Sequence, residues 1–291
     1  MNKISFIHTH YFPPKLLKSV DIDTSVVALE VYPDLLSKYY GDYDIFDSLE
    51  ACISWHNEQY SERTVKFTIE NVTLLKEIKS LKRAKELGLI AVQLFHSQTN
   101  AYFDKKRGLT VLGHQLLRGL IENDLILDLS HLNDNEIRYV LSEYSGKIMV
   151  SHCVCSDLIE TIHPRTNAIS SETIKVLSEH GCLFGIPFIN DLVSKISHDT
   201  YESDSGIMQD IFSQILYFVE NVGSENVALG PDFMDTEHFS KVFKQNIKIP
   251  DILYEESGYQ ELVCGLRESN ISEKDIMLIM CGNVKRIIGL L

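Results

Sequence analysis

The 291-residue chain contains no CxxC pair, no run approaching the ~20 apolar residues of a membrane span, and no Pro-, Ser- or Gly-rich linker. The missing CxxC argues against the usual paired-thiolate zinc and redox motifs. The six cysteines, Cys52, Cys153, Cys155, Cys182, Cys264 and Cys281, then read as reduced thiols of a cytoplasmic protein. Cys153 and Cys155 form a CxC beside His152, either a thiolate zinc site or two small residues packing below a rim. Without a long apolar stretch there is no membrane partner to expect, and MNKISFIHTHYFPP lacks the apolar core of a signal peptide. Basic residues are also in short supply: 27 Lys and Arg stand against 41 Asp and Glu, a net charge of −14. That balance disfavours nucleic acid and anionic membranes as partners and leaves small molecules open. With no linker, residues 1–291 read as a single domain, large enough to bury a core unaided.

Eight short apolar runs are present instead, at residues 3–7, 25–31, 65–70, 89–95, 125–129, 147–151, 183–188 and 227–229. They are rich in Val, Ile and Leu and nearly continuous in apolarity, the pattern of parallel strands buried on both faces. Stretches with helical periodicity separate them, at residues 44–59, 72–87, 112–123, 133–144, 172–180, 207–222 and 258–269, and in a last helix capped at Ser272. Asn133 with Glu136 has the spacing of a capping box, and Gly88, Gly181 and Gly223 stand where helices stop. Alternation of β and α units implies a parallel sheet, and eight units imply closure into a (β/α)8 TIM barrel. An open doubly wound sheet would need a Gly-rich phosphate loop after the first strand, and ISFIHTHYFPP offers none. The stretches 188–206 and 243–254 have little periodicity and read as loops near the barrel mouth.

Most of the runs end in a histidine or a carboxylate. ISFIHTH ends at His8 and His10, VKFTIE at Glu70, LIAVQLFH at His96, LILDLSH at His131, KIMVSH at His152, and NVALGPD leads to Asp232. Barrel enzymes of this type place their catalytic side chains at the C-terminal strand ends. His8 and His10, two apart in an extended segment, point to one side and can bind one ion. Glu70 can bridge two metals about 3.5–4 Å apart, or it is merely an acid at a helix N-terminus. Glu30 is the competing carboxylate. His131 and His152 close neighbouring strands and can reach a common ion. Asp232 can serve as a general base, or belongs to a Pro-Asp turn. Arg165 can hold a substrate carboxylate as a bidentate fork, or makes a surface salt bridge.

The stretch GLTVLGHQLLRGLIENDLILDLSHLND, continued by IMVSHCVCSDLIETIHPRTNAISSETIKVLSEHGCLFGI and by VALGPDF, resembles the membrane (renal-type) dipeptidases over residues 65–290. These belong to the amidohydrolase-like, metallo-dependent hydrolase barrels. The resemblance implies two divalent ions, zinc in that family, with His8, His10, Glu70, His131 and His152 as ligands. It also implies that His96 contacts the substrate and steadies the tetrahedral intermediate, that Arg165 meets the substrate carboxylate, and that Asp232 handles a proton. The chain departs from the family's pattern in four places. His8-Thr9-His10 replaces His-x-Asp, and Asn71-Val72 follows Glu70 in place of two glycines. QTNAYFD follows His96, and PDFMD replaces Gly-Asp-Phe-Asp-Gly.

The expectation is therefore a hydrolase that cleaves an amide bond in a dipeptide or dipeptide-like small molecule with metal-activated water. Two alternatives stand beside it: a tailoring enzyme using the same metals on a peptide-like metabolite, and a catalytically silent ligand-binding barrel. A homodimer is left open as the assembly.

Overall fold

The computed structural model describes residues 3–10, 14–29, 53, 57–58, 64–70, 72, 75, 77–96, 100–159, 167–193, 203–243 and 246–290. Eight parallel strands are β1 (Ile4–Thr9), β2 (Ile22–Leu29), β3 (Thr64–Ile69), β4 (Leu89–Gln93), β5 (Ile126–Asp128), β6 (Ile148–Val150), β7 (Leu183–Ile186) and β8 (Val227–Leu229). They close in the order β1-β8-β7-β6-β5-β4-β3-β2, so each strand pairs with its neighbours in sequence and β8 returns to β1. Every strand falls on one of the eight apolar runs. β2 begins three residues before its run, and β1 continues to Thr9 because pairing with β2 resumes after a register shift between Phe6 and Thr9. That irregularity lies just before the two histidines.

The barrel interior is layered. Ile7, Val26, Ala91, Ile126, Met149, Leu183 and Ala228, each from a different strand, pack into one cluster with Val284. A second, larger cluster fills the space between barrel and helices. Side chains two residues apart on a strand share a face. The next inward layer is therefore Gln93, Asp128, Ser151, Gly185 and Gly230, two residues on from Ala91, Ile126, Met149, Leu183 and Ala228. It is polar or empty where the layer below is apolar. Its two glycines have a steric cause: a Cβ on Gly185 would lie 1.8 Å from the Ser151 carbonyl oxygen, and one on Gly230 would lie 2.1 Å from it.

The helices are α1 (Pro14–Ser19), α2 (Leu81–Glu86), α3 (Val111–Glu122), α4 (Asp134–Glu143), α5 (Ser171–Glu179), α6 (Asn190–Val193), α7 (Asp204–Val222), α8 (Thr236–Phe243), α9 (Glu256–Glu268), α10 (Glu273–Met277) and α11 (Asn283–Ile287). A π-turn at Leu278–Gly282 joins the last two. The caps follow the sequence signals. Asn133 and Glu136 form the full capping box of α4, Ser170 accepts from the Thr173 amide, and Ser272 accepts from the Asp275 amide. Gly88, Gly181 and Gly223 all have positive φ, as a stop after an element requires.

The helix expected over 72–87 is the clearest departure. Only Leu81–Glu86 is α-helical, preceded by a 3₁₀ turn at Ile78–Ser80. Glu77 is extended (φ −146°, ψ 131°), and the Leu75 carbonyl is taken by the Tyr102 hydroxyl at 2.6 Å instead of by a helical amide. The expected helix over 44–59 lies almost wholly outside the described residues. Of the two mouth segments, α6 occupies part of the first and residues 194–202 lie outside the described ones. Asn190 joins the segments after β7 and β8: its amide group donates to the Asn246 carbonyl and its side-chain oxygen accepts from the Lys248 amide.

Candidate metal centre

Parallel closure brings all eight strand C-termini to one rim. His8 and His10 come from β1, and Glu70 follows β3. His96, His131, His152 and Asp232 lie just past β4, β5, β6 and β8. The structure therefore brings seven of the eight candidate residues to one place. The eighth, Arg165, lies outside the described residues, as does Glu30.

Glu70 is the hub. Its Oε1 lies 3.3 Å from His131 Nε2, 3.8 Å from His152 Nε2, and 3.9 Å from both His8 Nε2 and His96 Nε2. Its Oε2 faces His10 Nε2 at 3.3 Å. Asp232 Oδ1 closes the opposite side, 3.0 Å from His10 Nε2 and 3.5 Å from His8 Nε2. Three overlapping groups each keep their ligand atoms within 4.8 Å of one another: His8-His10-Asp232, His8-Glu70-His152 and Glu70-His96-His131. Glu70 and His8 are each shared between two groups. The three groups therefore form one continuous set of metal-type donor atoms at the rim.

Backbone strain contributes to this placement. His131 and Asp232 have φ of 66° and 57°, a region that non-glycine residues rarely enter. The His131 turn is held by its amide, which donates to the side chain of buried Asn167 at 3.0 Å. Asp232 is held by its backbone amide, which donates a hydrogen bond to the His8 carbonyl, and the adjacent His10 amide donates to the Phe233 carbonyl. The ends of β1 and β8 are thereby locked together at the rim. The Gln93 side chain does the same between β3 and β4, donating to the carbonyls of Glu70 and Phe95 at 2.9 Å each.

The electrostatics suit cations. Burial lowers the imidazoles of His96, to about 4, and of His152, well below the usual value; like-charged neighbouring imidazoles add to this. Both are neutral near pH 7, the form in which imidazole binds a metal. Burial pushes the Glu70 carboxyl up, but His10, His131, His96 and His8 around it outweigh burial and hold it well below the usual range. Asp232 follows the same balance, with burial opposed by His10, His8 and His152. Two buried carboxylates are held ionised at the rim, and the His96 and His152 rings beside them are neutral, which suits a bound cation. Among the described residues, His8 Nε2, Glu70 Oε2 and Asp232 Oδ1 are buried and meet their neighbours only as charged contacts, without a hydrogen bond. The donor set of imidazole nitrogens and carboxylate oxygens fits a divalent ion of the zinc type.

The sequence model of the membrane dipeptidase family, peptidase family M19, matches residues 5–290. The chain belongs to the membrane dipeptidase family. A curated relative, dipeptidase aclJ of Aspergillus oryzae, is 24% identical over 216 residues, covering 72% of this chain and 47% of its own length. An uncharacterised dipeptidase of Schizosaccharomyces pombe is 22% identical, covering 94% of this chain and 65% of its own length. The chain thus spans about half to two thirds of the length of these relatives. Among solved structures, an amidohydrolase from Pseudomonas aeruginosa superposes with a TM-score of 0.72 at 17% identity, covering 98% of this chain and 95% of the other. A metallopeptidase from Rhodobacter sphaeroides, liganded with a phosphinate mimic of the dipeptide L-Ala-D-Ala, gives 0.70 at 14% identity, with 97% and 90% covered. These likenesses show the fold, a (β/α)8 TIM barrel shared with these proteins.

Burial decides between the two readings of the CxC. The CxC beside His152 is packing. Cys153 and Cys155 are buried in the helix-facing core, burial raises both thiols, and among the described residues no cysteine joins a metal-type cluster. Asp128 and Ser151, which lie behind the His8 and His152 rings, were not among the candidate residues. The linear trace of Ser151 is the serine immediately before His152.

Proposed function

We propose that the chain is a metal-dependent hydrolase that cleaves the amide bond of a dipeptide or a dipeptide-like small molecule. The observation that carries this reading is the buried Glu70 carboxylate, which faces His10 with one oxygen and His131 with the other. Two divalent ions, zinc by family, would share the Glu70 carboxylate, one held also by His8 and His10, the other by His131 and His152. Such a pair supplies Lewis acidity, polarising a carbonyl and acidifying water.

The chain's own residues supply the rest. Asp232 is held as a carboxylate at the rim, so it can take a proton from the attacking water and return it to the leaving amine. His96 has one of the more open side chains of the cluster, and it is neutral near pH 7. A neutral imidazole still donates one N–H, and from this position it steadies the oxygen that gains charge when the carbonyl is attacked. Arg165 is assigned to the substrate carboxylate, on the resemblance alone. Residues 1–291 are assigned to one barrel domain. Its described cysteines are free thiols, as a reducing cytoplasm maintains. Among the described residues no helix is long and apolar enough to cross a membrane.

The test is a dipeptide panel on zinc-loaded protein, with amino-acid release as the readout and Glu70→Gln as the inactive control. One observation supports a second reading: His10, not an aspartate, faces Asp232 at 3.0 Å, which changes the charge of that centre. If zinc binds and no dipeptide is cleaved, a tailoring reaction on a peptide-like metabolite replaces dipeptide hydrolysis.

A further inference from the structure

Below the metal-type cluster, one hydroxyl touches a histidine from each of the two proposed ion sites. Ser151 Oγ lies 3.1 Å from His8 Nδ1 and 3.0 Å from His152 Nδ1. The two rings stack at 4.0 Å between centroids, and both turn their Nε2 atoms toward Glu70. Ser151, Asp128 and His8 are all fully buried, and His152 nearly so, so no solvent competes for these bonds.

The direction of the hydrogen bonds can be worked out from the donors available. Asp128 Oδ1 lies against two backbone amides, of Ser130 at 3.0 Å and of Ser151 at 3.1 Å, and also takes the Ser130 hydroxyl at 2.8 Å. Amides only donate, so Oδ1 is an acceptor. The remaining oxygen, Oδ2, takes the Ser151 hydroxyl at 2.5 Å. A serine has one proton, and here it is committed to Asp128. Its two lone pairs are then left for the two histidines, and each can engage Ser151 only by donating Nδ1–H. A neutral imidazole carries one N–H, so each ring that spends it at Nδ1 presents a bare Nε2 lone pair.

We infer that Ser151, fixed by Asp128, is a positioning residue that sets the tautomer and orientation of His8 and His152 together, and so couples the two ion sites. This rests on the metal-centre reading above. Partners that hold the second nitrogen of a ligating histidine are a general feature of metal sites. Here a single hydroxyl serves one ligand in each site, and a carboxylate behind it decides which way the hydroxyl points. Nothing else among the described residues hydrogen-bonds His8 Nδ1 or His152 Nδ1 by its side chain.

The substitution that separates orientation from packing is Asp128→Asn. The two backbone amides hold the new side-chain oxygen at the Oδ1 place, which puts the NH₂ group beside Ser151. That group donates to Ser151 and takes one of its lone pairs, while the Ser151 proton turns to one of the two Nδ1 atoms or to Ser130 Oγ, 3.2 Å away. At most one ring can then still donate Nδ1–H to Ser151, and a ring that receives the proton carries its hydrogen on Nε2 and no longer ligates. The shape is preserved while the joint Nδ1–H donation is lost. Ser151→Ala removes the acceptor for both rings. Ser130→Ala removes one hydroxyl from Asp128 but leaves its two amides, and serves as the control.

Two measurements test the inference. The first needs no variant: ¹⁵N correlation spectra of the histidine rings in zinc-loaded wild-type protein. Both His8 and His152 should carry hydrogen on Nδ1 and bind through Nε2; coordination of either ring through Nδ1 overturns the inference. The second is zinc affinity by competition with a chelator. Asp128→Asn and Ser151→Ala should bind roughly 10–100-fold more weakly, with Ser130→Ala within about threefold of wild type. Wild-type affinity in folded Asp128→Asn and Ser151→Ala also overturns it. If those variants fail to fold, the wild-type spectra alone decide. A wild-type protein that binds no zinc removes the metal centre and this inference with it. One that binds two ions through other ring nitrogens removes this inference alone.

Discussion

His131 and His152 face each other through their Nε2 atoms at 3.0 Å, on strands β5 and β6 that lie side by side in the barrel. Burial keeps the His152 ring neutral, and its Nδ1 is occupied by Ser151. Its Nε2 lone pair therefore points at the neighbouring nitrogen, with Glu70 Oε1 behind both. These three atoms would hold a divalent cation, because two imidazole nitrogens and a carboxylate oxygen are ordinary ligands for zinc.

His10 provides the sharpest check on a two-ion centre. It contacts Asp232 and the outer oxygen of Glu70, and belongs to only one of the three ligand groups. His10→Ala should lower the bound metal from two ions per chain to one, leaving the ion at Glu70, His131 and His152. Elemental analysis of the dialysed variant gives the count, and two retained ions would remove His10 from the ligand set.

Asp232→Asn keeps the size of the side chain and removes the base. Turnover should fall on the order of 10²–10⁴-fold while zinc content and melting temperature stay near wild type. A variant with near-normal turnover would take Asp232 out of the mechanism. A variant that loses one ion would make it a ligand first, as its distance to His8 and His10 permits.

Gly185 tests the layered interior. A methyl group there would meet the Ser151 carbonyl oxygen at 1.8 Å and an Ile7 methyl at 2.6 Å, and the first contact is with rigid backbone. Gly185→Ala should therefore cost ~3 kcal/mol or more of stability, at the upper end for overpacking, in denaturant melts. Gly181→Ala, where no atom lies within 4 Å, pays only for its left-handed backbone and should cost clearly less.

The opposite end of the barrel carries a pH-dependent contact. Asp23, at the start of β2, pairs with Lys285 of α11 and lies 3.5 Å from Lys3 Nζ. Burial pushes its carboxyl up, but Lys285, with Cys281 and Lys3 behind it, prevails and holds it below the usual value. A carboxyl lowered on folding stabilises above its unfolded value near 3.8, and this contribution disappears as pH falls through the lower folded value. Asp23→Asn should thus be less stable than wild type at pH 7 by up to about 1 kcal/mol, since both partners are partly solvated. The gap should begin to shrink below pH 3.8 and vanish once the folded carboxyl is protonated; a gap with no pH dependence would mean packing, not charge, is at stake.

The strands and the histidines were legible in the sequence for one reason. Where an apolar run buried on both faces meets the rim, its last residue is freed from packing, so an ending such as KIMVSH announces both the strand and the ligand. Asp128 was not legible, because inside LILDLSH a buried acid looks like an interruption of the run, and only closure shows it facing Ser151 across to β6. The irregular stretch before α2 was hidden for a similar reason. Its leucine spacing is helical, but the hydroxyl that captures the Leu75 carbonyl comes from Tyr102, 27 residues away.

Zinc stoichiometry of the purified, reconstituted and dialysed protein tests the central claim most directly. Two ions per chain, falling to one in His10→Ala and accompanied by a rise in melting temperature over the chelated protein, is the result the Glu70-centred arrangement predicts. A protein that retains no stoichiometric zinc or other divalent ion under any of these conditions would contradict it.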